Sequence, residues 1–376
     1  MSSNLFSNTW QEWKKIGQEA KTGWIGIVLV TGVALVARYF HSLIVNPSLS
    51  KTISEILIAV LLGLFVRNFV AVDARSEAGV KFAIQRILRL GIILLGLRLS
   101  LQDVLATGAS ALLLVIICIV LGLTLAYAAG RLFRVPPKLA ALIGVGTAIC
   151  GNSAIVATAP VIEAKDEEVS FAVATITLFG LIAVVFYPLL GQLLGLSDKA
   201  FGLWAGTAVN DTSQVVAVGA AYSPLALNIA TVVKLTRNTL MAPLIILFGL
   251  LYRRGQEQQV GEKARGAAKF SWSKLIPGFV LGFLLMSLIR TAGVALGILP
   301  QNVAQPGLLG TAAEILKGID EIAKLAILMA LAGVGLNTNL ASLRKIGLKP
   351  MIVGLCVAIL LAVSSISLIL FTPLGQ

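Results

Sequence analysis

Apolar residues fall into eleven runs along the chain, at 24–45, 53–71, 87–101, 107–130, 139–162, 169–196, 201–222, 227–251, 275–299, 322–338 and 351–372. Most have the length an α-helix needs to cross about 30 Å of hydrocarbon. Runs 53–71, 87–101 and 322–338 are short or carry charge, such as Glu55, Arg67 and Arg98, so ten spans is the alternative. The pattern predicts an all-α fold, a polytopic membrane helix bundle of about 11 transmembrane helices. Residues 1–23 are polar, with Trp10 and Trp13 three apart beside Lys14, Lys15 and Lys21, and read as a cytoplasmic interfacial helix. A basic linker at 253–274 separates an eight-span block, 24–252, from a three-span block, 275–376. No polar stretch is long enough to build a soluble domain.

Two of the runs are interrupted at their centres. Gly144–Pro160 reads GVGTAICGNSAIVATAP, and Gly206–Gly219 reads GTAVNDTSQVVAVG. Glycine and small polar residues inside an apolar run predict a helix that breaks and restarts in the bilayer, which is tolerated only beside protein or a wet cavity. A pair of such interruptions points to the substrate site of a secondary transporter. A restarting helix presents unpaired N–H groups and the positive end of its dipole, so it attracts anions. The candidate substrate-binding residues are therefore Thr147, Cys150, Gly151, Asn152 and Ser153 in the first segment, with Thr207, Asn210, Thr212, Ser213 and Gln214 in the second. The small residues Gly144, Gly146 and Ala148 also suit close helix packing. Non-helical backbone is expected at 151–153 and 210–212.

Asn152 and Ser153 are expected to cap the first restart. Asp211, Thr212 and Ser213 are the candidate caps of the second, Asp211 having Gln214 at capping-box spacing. A lone carboxylate in mid-span is costly unless paired, protonated or cation-bound, so Asp211 is the candidate coupling-ion residue; the structural alternative is an N-cap paired with Arg or Lys. Run 227–251 places Thr231, Lys234, Arg237 and Asn238 on one helical stripe. Lys234 and Arg237 lie too deep to reach the surface, so they read as a substrate-binding anion clamp, or else as an ion pair with Asp211 or Glu163.

Composition agrees with a membrane protein: 57% of residues are hydrophobic and 12% charged, with a mean hydropathy of +0.94, against about 25% charged in soluble domains. The net charge is +13, yet the basic residues recur in short loops rather than on one face, which argues against a nucleic-acid partner and for the positive-inside rule. With a cytoplasmic N-terminus, the inside segments hold twenty Lys and Arg and the outside ones three, Lys51, Lys165 and Lys317, which puts the C-terminus outside the cell (inner) membrane. Both interrupted runs then travel in the same direction, which leaves open whether one is re-entrant or the repeat is direct. Cys118, Cys150 and Cys356 lie in apolar runs and His41 is the sole histidine, so no metal site, disulfide or cofactor is expected.

The segment 146–180 (GTAICGNSAIVATAPVIEAKDEEVSFAVATITLFG), with 214–219 (QVVAVG) and 230–238 (ATVVKLTRN), resembles the YeiH-like membrane family labelled as sulfate exporters. That family is in turn distantly similar to bile-acid/sodium symporters and sodium/proton antiporter-like transporters. The resemblance implies discontinuous helices crossing at mid-membrane, a site at Cys150–Ser153, Asn210–Gln214, Lys234 and Arg237, and sulfate or a sulfonate-type anion as cargo. The function expected is secondary active transport of a small anion coupled to sodium or protons, with a cation/proton antiporter as the alternative; no P-loop or catalytic constellation suggests an enzyme. The sequence leaves a homo-oligomer open.

Overall fold

The computed structural model describes residues 18, 19, 21–43, 54–70, 72–257, 278–299, 310–339, 341 and 347–373, and these are helical throughout apart from turns. Most of the expected interfacial helix and of the basic linker lie outside the described residues. In chain order the helices are α1 (Trp24–Ser42), α2 (Glu55–Phe69), α3 (Ser76–Phe82), α4 (Leu88–Leu95), α5 (Leu101–Leu132), α6 (Pro137–Ala148), α7 (Asn152–Thr158), α8 (Asp166–Leu193), α9 (Asp198–Ala208), α10 (Thr212–Tyr222), α11 (Pro224–Thr239), α12 (Met241–Glu257), α13 (Gly278–Ala295), α14 (Gly310–Asn337) and α15 (Leu348–Phe371). A π-helical turn, Ala83–Ile87, carries α3 into α4. Among the described residues, six stretches are long and apolar enough to cross a membrane: α1, α5, α8, α11 continued into α12, α13 and α15.

Local chemistry sets the starts. Pro137 and Pro224 occupy first-turn positions where a missing N–H costs nothing. Ser100, Ser197 and Ser223 cap α5, α9 and α11 by accepting from the N–H of Asp103, Ala200 and Ala226. Asp166, Glu167 and Glu168 crowd the first turn of α8, where the dipole favours negative charge.

Runs 139–162 and 201–222 are not single spans, because each reverses on itself. Lys138 Nζ, at the start of α6, donates to Glu163 O beyond α7 at 2.7 Å. A straight helix would hold two residues that far apart in sequence about 37 Å apart. In the second run, the rings of Phe201 and Tyr222 stack with centroids 3.8 Å apart, and Tyr222 Oη donates to Leu196 O. α6–α7 and α9–α10 are therefore helical hairpins, each ending where it began.

The turns also sit slightly earlier than the sequence suggests. They comprise Ile149–Gly151 and Val209–Asp211, while Asn152, Ser153 and Thr212 are already helical. Gly151 and Asp211 take the non-helical N-cap conformations, so the next residue in each case opens the helix.

The hairpins approach each other from opposite ends of α8. The base of the first precedes Asp166; the base of the second packs at the far end, where Gly191 lies against Phe201 and Tyr222. Their tips meet at the middle of α8. There Asn152 Nδ2 lies 3.4 Å from Thr177 Oγ1, and Gly180 makes room for Gln214, whose amide oxygen an added Cβ would overlap. The two hairpins are thus inverted relative to each other, because both runs double back instead of running on in one direction.

Packing does not follow the division into 24–252 and 275–376. α13 and α14 join α1–α4: Gly63 of α2 lies against Ala332 and Gly335, and Gly96, just after α4, against the carbonyl of Phe283. α15 joins α5–α11: Trp204 Nε1 donates to Ala362 O at 2.9 Å, and Gly354 lies against Phe179.

Candidate functional site

The octets GTAICGNS (146–153) and GTAVNDTS (206–213) occupy equivalent places in the two hairpins. Gly-Thr-Ala closes α6 and α9, the next three residues turn, and α7 and α10 follow. Ending two helices inside a bundle strands their last carbonyls. Lys234 and Arg237 of α11 supply the missing donors. Lys234 Nζ donates to Ile149 O (2.6 Å), Val209 O (3.2 Å) and Asn210 O. Arg237 donates from Nε to Ala148 O (2.7 Å), from Nη1 to Gly206 O (3.1 Å) and Val209 O (2.9 Å), and from Nη2 to Thr147 O. Both side chains are 0% exposed.

This arrangement corrects the expectation of an anion clamp. All three ammonium donors are committed to backbone, and the guanidinium spans both hairpins. The ion-pair alternative fails too, since no ion pair among the described residues includes Lys234 or Arg237. The two cations instead sit at the negative ends of the α6 and α9 dipoles and cancel them.

What the tips then present is the positive ends of α7 and α10, and these border a cavity of about 510 Å³. The hairpin wall comprises Cys150, Asn152 and Ser153 with Asp211, Thr212, Ser213 and Gln214, flanked by Thr177, Asn238 and Met241. The opposite wall is built by Lys81, Gln85 and Arg89, with Phe279 from α13 and Asn337 and Thr338 from the end of α14. Arg89 lies over the Phe279 ring, 5.6 Å from its centroid. Two side-chain cations thus face one carboxylate.

Asp211 caps α10 as expected. Its Oδ1 accepts from Ser213 N (3.0 Å) and Ser213 Oγ (2.8 Å), while Gln214 Oε1 accepts from Asp211 N (3.1 Å), completing the capping box. No ion pair among the described residues includes it. The first restart differs from expectation: its N-cap is Gly151, not Asn152 or Ser153, at φ 68° and ψ −128°. The reason is steric. A Cβ at Gly151 would stand 2.9 Å from Asp211 Oδ2 and 3.1 Å from Asp211 Cα, so the position equivalent to Asp211 has to be bare.

Of the residues singled out by sequence, Thr147 and Thr207 turn away from the cavity, their hydroxyls donating to Ile143 O (2.9 Å) and Leu203 O (2.7 Å). Thr207 Oγ1 also contacts Ser365 Oγ at 2.6 Å. Gly151 serves the turn, and Asn210 lines a separate apolar groove beside Tyr187 and Trp204. Thr177, Gln85, Phe279, Met241, Asn337 and Thr338 escaped the sequence reading. Gln85 lies in the π-helical turn and Thr338 just past the end of α14, while the others come from ordinary helices; of the cavity residues outside the hairpins, Asn238 carried a signal, its place on the Lys234 stripe. Asn238 Nδ2 lies 3.3 Å from Thr212 Oγ1. Among the described residues, no cluster of His, Cys, Asp and Glu could hold a metal ion.

Residues 25–354 match the family model described as Conserved hypothetical protein 698. A UPF0324 membrane protein of Clostridium tetani is 33% identical over 358 residues, covering 94% of this chain and 97% of the relative. UPF0324 membrane proteins of Streptococcus pyogenes serotype M6 and Fusobacterium nucleatum are 39% and 35% identical, covering 88% and 86% of this chain and 91% of each relative. No solved structure matches the chain. Apolar helices, a family model spanning most of the sequence and relatives aligned nearly end to end agree: this chain belongs to the UPF0324 family of multi-pass membrane proteins, the YeiH-like family.

Proposed function

We propose that the protein is a secondary transporter of a small anion, sulfate or a sulfonate-type anion, coupled to sodium or protons, with the anion held in the cavity between the hairpin tips. The observation that carries this reading is the polarity of the tips: the C-terminal ends of α6 and α9 are cancelled by Lys234 and Arg237, while the N-terminal ends of α7 and α10 border the cavity. Lys81 and Arg89 add positive charge opposite. Sulfate itself comes from the family resemblance. Because the cavity lies between the two groups of helices, rocking one group against the other would expose it alternately to each side.

In the bilayer, α1, α2, α3–α4, α5, α8, α11–α12, α13, α14 and α15 act as nine crossings, and the two hairpins enter from opposite faces to meet at mid-membrane. An odd number keeps the N-terminus cytoplasmic and the C-terminus outside the inner membrane. The loop charges accommodate this, because Lys165 moves inside and Lys199 outside, which leaves the outside segments with three, Lys51, Lys199 and Lys317, and the excess of Lys and Arg still inside. In a variant lacking Cys118, Cys150 and Cys356, Lys165→Cys should react with an impermeant maleimide only from the cytoplasm and Lys199→Cys only from outside. Labelling of both from one face would reject the opposed hairpins.

The functional test is uptake of radiolabelled sulfate into proteoliposomes, with and without sodium and pH gradients. Saturable uptake is expected, lost in Asn152→Leu and Asp211→Leu by at least about tenfold, as befits removal of charged or polar contacts to a bound ion. Asp211 alone would also suit a cation/proton antiporter; cation flux with no anion dependence would decide for it.

A further inference from the structure

Lys234 joins the hairpins through backbone atoms alone, one carbonyl from the first (Ile149) and two from the second (Val209 and Asn210). One turn further along α11 is Arg237, equally buried. Two like charges out of water, with no carboxylate in ion-pair contact among the described residues, oppose each other. Arginine keeps its proton at any physiological pH; lysine is the member of the pair that can release one. The other titratable groups facing Lys234 are Cys150 in the first turn and Asp211 in the second. Asp211 follows Asn210, whose carbonyl the ammonium holds, and lines the cavity, so the lysine's backbone partner is next in the chain to a residue that borders the cavity.

Building on the transporter reading above, we propose that the coupling ion is a proton carried by Lys234, whose arrival fastens the two hairpin tips together and whose departure releases them. In sodium-coupled transporters the carbonyls at broken helix ends coordinate the ion; here an ammonium already occupies them. Release converts the ammonium to a neutral amine, and the proton passes to water in the cavity. The amine has two N–H donors for three carbonyls and no charge to strengthen the bonds, so the link weakens. The link is therefore present at low pH and lost as pH rises.

The test needs no knowledge of the cargo. In the cysteine-free variant, Ser153→Cys reports the tip and Gln85→Cys, on the opposite wall, corrects for ionisation of the thiol itself. The ratio of their maleimide labelling rates, followed between about pH 6 and pH 9, is expected to rise severalfold with Lys234 present. It should stay flat and low in Lys234→Arg, which keeps its charge, and flat and high in Lys234→Gln, which has none. Either substitution suffices if the other fails to fold. A flat ratio with Lys234 present, or the same rise in the variants, overturns the proposal. In proteoliposomes, Lys234→Arg should still exchange sulfate for sulfate but lose accumulation driven by a pH gradient. Accumulation driven by sodium alone would also overturn the proposal, whereas absence of sulfate exchange in the unsubstituted protein would count against the anion reading and leave the labelling result to judge the proton.

Discussion

Arg237→Gln is expected to destabilise the protein by on the order of 3–5 kcal/mol, as removal of one partner from a buried charged network does. The guanidinium donates to Thr147, Ala148, Gly206 and Val209, and Gln cannot span carbonyls on two hairpins. Each buried carbonyl left without a donor costs about 1–3 kcal/mol. Arg237→Lys should fall between the two, because it keeps the charge that opposes the α6 and α9 dipoles but loses the fork that reaches both helix ends. Thermal unfolding of the purified protein in detergent measures this. A normal unfolding temperature for Arg237→Gln, with loss confined to anion affinity, would return Arg237 to the role of clamp and refute the assignment made from its hydrogen bonds.

The second large effect is expected at Gly151. Its φ of 68° with ψ of −128° is a conformation that side chains rarely adopt, so Gly151→Ala should cost about 1–3 kcal/mol in backbone strain. The new methyl would also press on Asp211, at 2.9 Å from Oδ2, and push the carboxylate out of its capping geometry. Transport should be lost even where the protein still folds. Two comparisons separate the causes. Gly195 also has a positive φ, of 61°, but nothing lies within 4 Å of a Cβ there, so Gly195→Ala should show strain without loss of transport. Adding Asp211→Gly to Gly151→Ala should recover about 1 kcal/mol of stability relative to additivity, the coupling typical of residues in contact. Strict additivity would show that the two tips do not touch.

By itself the sequence determined that this chain is an all-helical membrane protein, and it marked to within a few residues where two of its apolar runs break. Those features rest on local chemistry: apolar length, serine and proline at helix starts, and a Gly-Thr-Ala step followed by polar residues. The same locality hid the reversal. An apolar run of two dozen residues has the same composition whether it crosses or doubles back, and the charge rule scores both arrangements alike, because reversing the two runs would only exchange the sides of Lys165 and Lys199. The depth of Lys234 and Arg237 was legible as well, and it called for negative partners. Their partners proved to be backbone carbonyls at the ends of α6 and α9, groups that every residue carries and that no sequence pattern marks. Only the tertiary structure could bring those stranded carbonyls to the lysine and arginine. It alone set the far wall of the cavity, because Lys81, Arg89 and Phe279 reach the hairpin tips through the packing of helices far apart in the chain.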